Sequence, residues 1–549
     1  MKKKIILLAV CGITSTAGAQ TMYDALTFSE NTYYGTARST AMGNAFTALG
    51  GDLGGISINP AGSAVANYSQ ITITPSLNIA VSTAQGTKWN GEANGFERRM
   101  KNSSTRFTLP NIGFTLNYDT HRTSGVTGIS VGFMVNGTGY FNDNMIARGT
   151  NANTSFMGAL AYNTSGWDVG ELTMSDAYNS SNAPWESIAG WEAGLISLYG
   201  PESNLDQYIG TSEYYTDDGA GNYSVQQAGP LDQNYGRTQS GSKYDYLINL
   251  GLNFSDRFYF GVNLGITSLT YAYRDWITEV AQDPGDFELQ FQNPDGGPDD
   301  ITYFSDMNFS YRYNASGVGV YGKFGFIARP FAGLRIGGAI QTPTSTVIKE
   351  FWSYSAASYY TDSQYNASSD SPEGQYRYRV ISPFRFNVGL AYTFGNFGLI
   401  SADYEMCDYS GMRLKETETN DNSYYDDGVN ADIREYMGAS HMFRAGLEIK
   451  PAAAFAIRAG YTLTTSPERY YENDVRQPVK ANRNSFSAGL GFSSSGSFFA
   501  DLAFRATKYA DEYIYPYSDY ILGEDYFPSP EILNRKWMYD VMLTIGFRF

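Results

Sequence analysis

The chain has 549 residues, with 55 acidic against 38 basic side chains and a net charge of −17, a balance that argues against a nucleic-acid partner. Aromatic residues make up 15%, led by 45 tyrosines, and there are 58 glycines. After the first residues no apolar run reaches the 18 or so needed for a membrane-crossing helix, so an all-β chain is left, either soluble or a membrane barrel.

Residues 1–19 read as a secretory signal peptide. Lys2-Lys3-Lys4 form a basic start, an apolar stretch runs from Ile5 to Ile13, and Ala17-Gly18-Ala19 offers an exit before Gln20. Its removal takes Cys11 away and leaves Cys407 with no disulfide partner. Residues 20–68 are small and glycine-rich. "RSTAMGNAFTALGG" predicts a short helix that stops at Gly50-Gly51. "DLGGISINPAG", 52–62, predicts a tight turn whose glycines allow close approach to a wall.

From residue 69 to the end the pattern changes to strict alternation. In "RFYFGVNLGIT", Phe258, Phe260, Val262, Leu264 and Ile266 alternate with Tyr259, Gly261, Asn263, Gly265 and Thr267, one apolar face and one small or polar face. Fourteen such segments lie near 69–84, 104–119, 124–141, 242–253, 258–281, 302–327, 332–352, 375–393, 398–415, 438–449, 454–466, 482–492, 498–511 and 535–549. Short links such as "THRT", "FSDR" and "FGNF" alternate with long ones, the longest being 142–241. A sandwich has no reason to sort its loops by length. The expected fold is therefore all-β: a 14-stranded antiparallel transmembrane β-barrel over 69–549, with 20–68 as an N-terminal plug in the lumen and both termini on the short-turn, periplasmic side. The last strand, "WMYDVMLTIGFRF", is amphipathic and ends on Phe549, as outer-membrane strands do.

Chemistry-bearing constellations are scarce. "GISVG" fits G-x-S-x-G in form, but Ser130 lies in an alternating strand rather than a strand-to-helix turn. His121 and His441 are the only histidines, and no metal or catalytic set is readable. The acidic clusters Asp217-Asp218, Asp295, Asp299-Asp300 and Asp426-Asp427 fall in loops without EF-hand spacing and read as solvated acid. Neither an enzyme nor a cofactor is expected.

"ARSTAMGNAFTALGGDLGGISINPAG" resembles the N-terminal signature of the FadL/TodX family of outer-membrane transporters for hydrophobic compounds, in its Ala-Met-Gly core, Gly/Asp step and closing Asn-Pro-Ala-Gly. The resemblance implies passive uptake of long-chain fatty acids or other apolar molecules through a plugged barrel, with sideways exit at a kinked third strand. It assigns Asn59, Pro60, Ala61 and Gly62 to the hatch motif that gates passage. In "SGVTGISVGFMVNGTGYF" it makes Gly132, Gly137 and Gly139 candidates for the kink. Trp185, Ile188, Trp191 and Leu195 in the long loop are candidates for a ligand-capture groove; the same residues suit a loop packing its own small core. The partners expected are a fatty-acid-like ligand, outer-membrane lipid and lipopolysaccharide, with the chain acting as a monomer in a Gram-negative outer membrane. A FadL-like shuttle of a protein-secretion system is the alternative function.

Overall fold

A computed structural model describes residues 20–549 apart from 88–94, 202, 218, 220–222, 292–299, 419–421, 473–474, 495–496 and 523–524. The signal peptide expected over 1–19 lies outside the described residues, as do Asp218, Asp295 and Asp299 of the acidic clusters.

The alternating segments form one closed antiparallel ring of 14 strands. In chain order these are Gln70–Gly86, Met100–Asp119, Val126–Asn151, Leu231–Phe254, Phe258–Ala281, Asp300–Phe331, Leu334–Gln341 continued by Ser345–Tyr360, Gly374–Ile381 continued by Arg385–Thr393, Gly398–Asp408 continued by Arg413–Glu416, Ala439–Ala452, Phe455–Thr464, Arg483–Ser493, Phe498–Lys508 and Ile532–Arg548. Each pairs with the next, and the first closes on the last from Gln70↔Arg548 to Gly86↔Ile532. Strands seven and eight are each interrupted at a proline, Pro343 and Pro383, because proline cannot donate to a ladder. The barrel ends meet on the short-turn rim, where Ser69 and Phe549 exchange both main-chain bonds at 3.0 Å.

The alternation sorts inside from outside. Phe258, Phe260, Val262, Leu264 and Ile266 are all exposed on the outer face, while Gly261, Asn263 and Thr267 between them are buried. The same apolar girdle runs round the ring through Ile71, Leu77, Phe324, Leu390, Phe443, Leu490 and Leu543. An exposed apolar surface of this extent calls for a bilayer.

On the other rim, strands three and four run on as a paired hairpin through Asn142↔Ser240 to Asn151↔Leu231. The 142–241 connection is thus shorter than its sequence suggested. The described residues between the two strands form a cap with helices Phe156–Thr164 and Trp185–Glu192. Met157, Leu160, Ile188, Leu195, Phe309 and Tyr517 are among the residues of its apolar core.

Residues 20–66 lie inside the ring as helices Met22–Ser29 and Ala37–Ala41 and 3-10 turns Gly54–Ser57 and Pro60–Val65. The second helix stops at Met42, well short of the expected Gly50-Gly51. Gly43 and Asn44 both take left-handed backbone, φ 61° and 57°, which a right-handed helix cannot pass through. There the chain turns against the wall, so close that a Cβ on Gly460 would collide with the nitrogen of Gly43.

Candidate functional site

A segment that is neither long helix nor sheet has backbone groups to satisfy wherever it is buried. The wall supplies the donors. Lys243 Nζ reaches the carbonyls of Phe28 and Glu30 at 2.8 and 3.0 Å, and Lys323 Nζ that of Ser57 at 2.8 Å. Arg385 donates to Ser29 O at 2.6 Å, Arg505 to Tyr33 O at 3.0 Å, and Arg335 to Leu49 O. Five cations from five different strands thus each hold a main-chain oxygen of the lumen segment. A buried lattice ties it further: Glu448 bridges Arg38 at 3.0 Å and Arg458 at 2.6 Å, and Arg458 continues to Asp501 at 2.5 Å. Removing one partner of a buried pair leaves an uncompensated charge, at about 3–5 kcal/mol.

The Asn-Pro-Ala-Gly motif sits where this clamp meets the wall. Asn59 caps the 3-10 turn through Ala61 N–H to Oδ1, 3.1 Å, while its Nδ2 donates to Thr47 O at 2.6 Å and to Phe326 O on strand six at 3.0 Å. Pro60 fills the first turn position, where no N–H is needed, and its carbonyl accepts from Asn249 of strand four at 3.1 Å. Gly62 closes the knot by accepting from Gly51 N–H at 2.8 Å. Such contact needs a wall without side chains at that level: Cβ atoms on Gly261 and Gly325 would collide with Pro60 and Asn59. Ser130, of the G-x-S-x-G look-alike, bonds Ser63 at 2.7 Å and so joins strand three to the same knot.

Strand three is also where the ring is incomplete. It pairs with strand two only from Asp119↔Gly128 to Asn111↔Asn136. Beyond that, strand two stays with strand one up to Met100, and strand three follows strand four. The two edges part at Pro110, which has no N–H to offer; opposite it, strands one and two lose register between Thr74 and Ser76, around Pro75. On strand three the register shift falls between Gly137 and Gly139, whereas Gly132 stands in the regular ladder opposite Thr115 and Asn249. Past the shift, strand three leans over the inner face of its neighbours: Asn142 Nδ2 donates to Asn78 Oδ1 at 2.9 Å and to Ser104 O at 3.2 Å. The carbonyls of Gly137 and Thr138 turn to the lumen segment and accept from Tyr34 and Thr32, each at 2.9 Å. Beside the split, Tyr34 meets Tyr140 edge-on at 4.4 Å, Tyr140 meets Tyr244 at 5.8 Å, and Met542 packs in the same cluster.

The capture-loop candidates lie in the cap. Ile188 and Leu195 are fully buried in its core. Trp185 packs on Tyr178 and Trp352, and Trp191 edge-on against Tyr208, both rings partly exposed. His121 lies at a short turn and His441 bonds Tyr404 on the outer face. Among the described residues no three His, Cys, Asp or Glu side chains gather in a metal-holding group. The functional residues that sequence reasoning missed are Pro110, Tyr34, Tyr140 and the inward cations. A proline inside a strand is an edge signal and could have revealed the first; the others depend on which strands become neighbours.

No family model and no curated protein matches the chain. Among solved structures it is similar to the toluene transporter TbuX of Ralstonia pickettii, at 12% identity over 94% of this chain and 99% of that one, TM-score 0.45. It is similar to the toluene transporter TodX of P. putida at 11% identity, over 94% and 99% of the two chains, TM-score 0.46. A FadL homologue of Pseudomonas aeruginosa gives 11% identity over 94% and 98%, TM-score 0.45.

Proposed function

We propose that this chain is a FadL/TodX-type protein of the Gram-negative outer membrane, which takes up fatty-acid-like or other apolar small molecules and releases them sideways into the bilayer. The short-turn rim and both termini face the periplasm, the cap faces outward, and the protein works as a monomer. The observation that carries this reading is the split between strands two and three, whose kinked edge is bonded to the main chain of the lumen segment. A shift of that segment and an opening of the wall are thereby one event.

The lumen is lined by charge, so an oily cargo gains nothing from its centre. Its route follows the Tyr34–Tyr140–Tyr244 and Met542 cluster to the split. There each methylene kept from water is worth about 0.8 kcal/mol, and sideways release spares its return to water. In this scheme Asn59, Pro60, Ala61 and Gly62 hold the closed state, and Gly137 and Gly139 supply the bend.

The test is uptake of labelled oleate and toluene by a host lacking its own route, together with mass spectrometry of lipids from the gently solubilised protein. Uptake and a co-purifying apolar ligand are expected. No uptake, with secreted proteins co-purifying instead, would favour the shuttle.

A further inference from the structure

The outer face of strands seven to nine carries an arrangement that folding alone disfavours. Val318, Val347 and Ile381 are outward apolar residues of the girdle on strands six, seven and eight, and Phe351 lies one outward position beyond Lys349 on strand seven. The next outward positions on strands seven and eight are Lys349 and Arg379, followed on strand eight by Arg377. Lys415 on strand nine stands directly opposite Arg379, and Lys349 directly opposite Arg377. Their outward direction follows from the residues between them: Ile348, Tyr378, Val380 and Leu414 are buried, and Glu350 faces the lumen to accept from Gln20 at 2.6 Å.

Like charges directly opposed across a ladder repel and destabilise it. None of the four is in an ion pair among the described residues, and Nε of Arg379 is buried without a hydrogen-bond partner. The chain as a whole is acidic, at −17, so four cations without a carboxylate partner, in two opposed pairs one outward step apart, run against its average; Lys349 Nζ rests over the Phe351 ring at 4.5 Å. What would make the arrangement favourable is an anion of fixed height, at the edge of the apolar girdle and on the loop side.

We infer that Lys349, Arg377, Arg379 and Lys415 form a docking surface for the phosphorylated sugar headgroup of an outer-leaflet glycolipid of the lipopolysaccharide kind. Its phosphates are shared between the two opposed pairs, and its acyl chains lie along Phe384, Phe386 and Leu390 below. Guanidinium forks suit phosphate oxygens in two-point contact, and basic surfaces at headgroup level select anionic lipid. The inference rests on the orientation proposed above but not on the cargo, so its failure and a failure of uptake are separately visible.

The full-length protein in dodecyl maltoside micelles is titrated with lipopolysaccharide, with the same lipid after removal of its lipid A phosphates, and with inorganic phosphate. Thermal unfolding is followed, and lipid retained after washing is measured by mass spectrometry. The wild type is expected to bind the phosphorylated lipid at least tenfold more tightly than the dephosphorylated one, and to show no shift with millimolar inorganic phosphate. The K349Q/R377Q/R379Q/K415Q variant should lose that tenfold preference while unfolding no earlier than wild type without lipid, since its repulsion is gone. A K480Q/K508Q variant, altered just ahead of strand twelve and at the end of strand thirteen, should keep it. Equal binding of the two lipid forms by the wild type would overturn the inference whether or not the quadruple variant folds. So would unchanged preference in that variant, or an equal shift with inorganic phosphate.

Discussion

The main-chain N–H of Tyr34 donates to the carbonyl of Gly137 at 2.9 Å, tying the lumen segment to the register shift of strand three beside the split. A Cβ on Gly137 would sit 2.7 Å from the Tyr140 hydroxyl and 3.3 Å from Cβ of Tyr34. Gly137→Val should therefore push segment and strand apart at a cost of about 1–3 kcal/mol, while the rest of the ring stays paired. The expected outcome is normal heat-modifiable migration with a raised small-solute conductance in planar bilayers. Conductance equal to wild type would count against the coupling.

Asn59→Ala removes the donors to Thr47 and Phe326 and the cap on Ala61. At roughly 1 kcal/mol for each buried bond, and more for the carbonyls left unpaired, the knot should loosen by about 3 kcal/mol. Surface levels should stay normal and oleate uptake should fall several-fold. Uptake at the wild-type rate would remove the motif from the gate.

Gly325→Val tests the wall from the other side, because its Cβ would occupy the space of Asn59. A barrel that still assembles should expose its first 50 or so residues to protease added from the periplasmic side. Full protection would show that the segment is not held by this contact.

These residues also show what was legible in the sequence. Strands were readable because each presents one face to lipid and one to the lumen, so period-two alternation survives in every segment; Phe258 to Ala281 was placed to the residue. Above the girdle that constraint lapses, and the pairing of Asn142–Asn151 with Leu231–Ser240 was invisible. The glycines of strand three look alike as letters, yet Gly132 sits in a regular ladder and Gly137–Gly139 in the bend. Which is which depends on Pro110 in the neighbouring strand. The inward cations could be assigned to the lumen face, but their partners are carbonyls, which no side-chain pattern encodes.

The cap should respond to pH. Glu213, in the loop between strands three and four, is buried and accepts from Gly210 N–H at 2.9 Å and Tyr520 Oη at 3.1 Å. Burial pushes its carboxyl up to about 7 from an ordinary 4.5. A raised folded value means that the folded cap holds the proton more tightly than the unfolded chain. Its contribution is complete below about pH 4.5 and is lost as pH rises through 7, at most ~3 kcal/mol. Limited proteolysis of the cap should run faster at pH 8 than at pH 5, and Glu213→Gln should flatten the difference. The opposite slope would contradict the assignment.

Whether cargo leaves through the split between strands two and three decides the proposed function. Ser104 and Asn142 already touch across it, at 3.2 Å from Asn142 Nδ2 to the Ser104 carbonyl, and a cysteine at each position can tie the edges together. Oleate uptake by S104C/N142C, measured oxidised and then after dithiothreitol, is the direct measurement. Uptake blocked in the disulfide form and restored on reduction is the predicted result; uptake that proceeds at the same rate with the disulfide intact would contradict it.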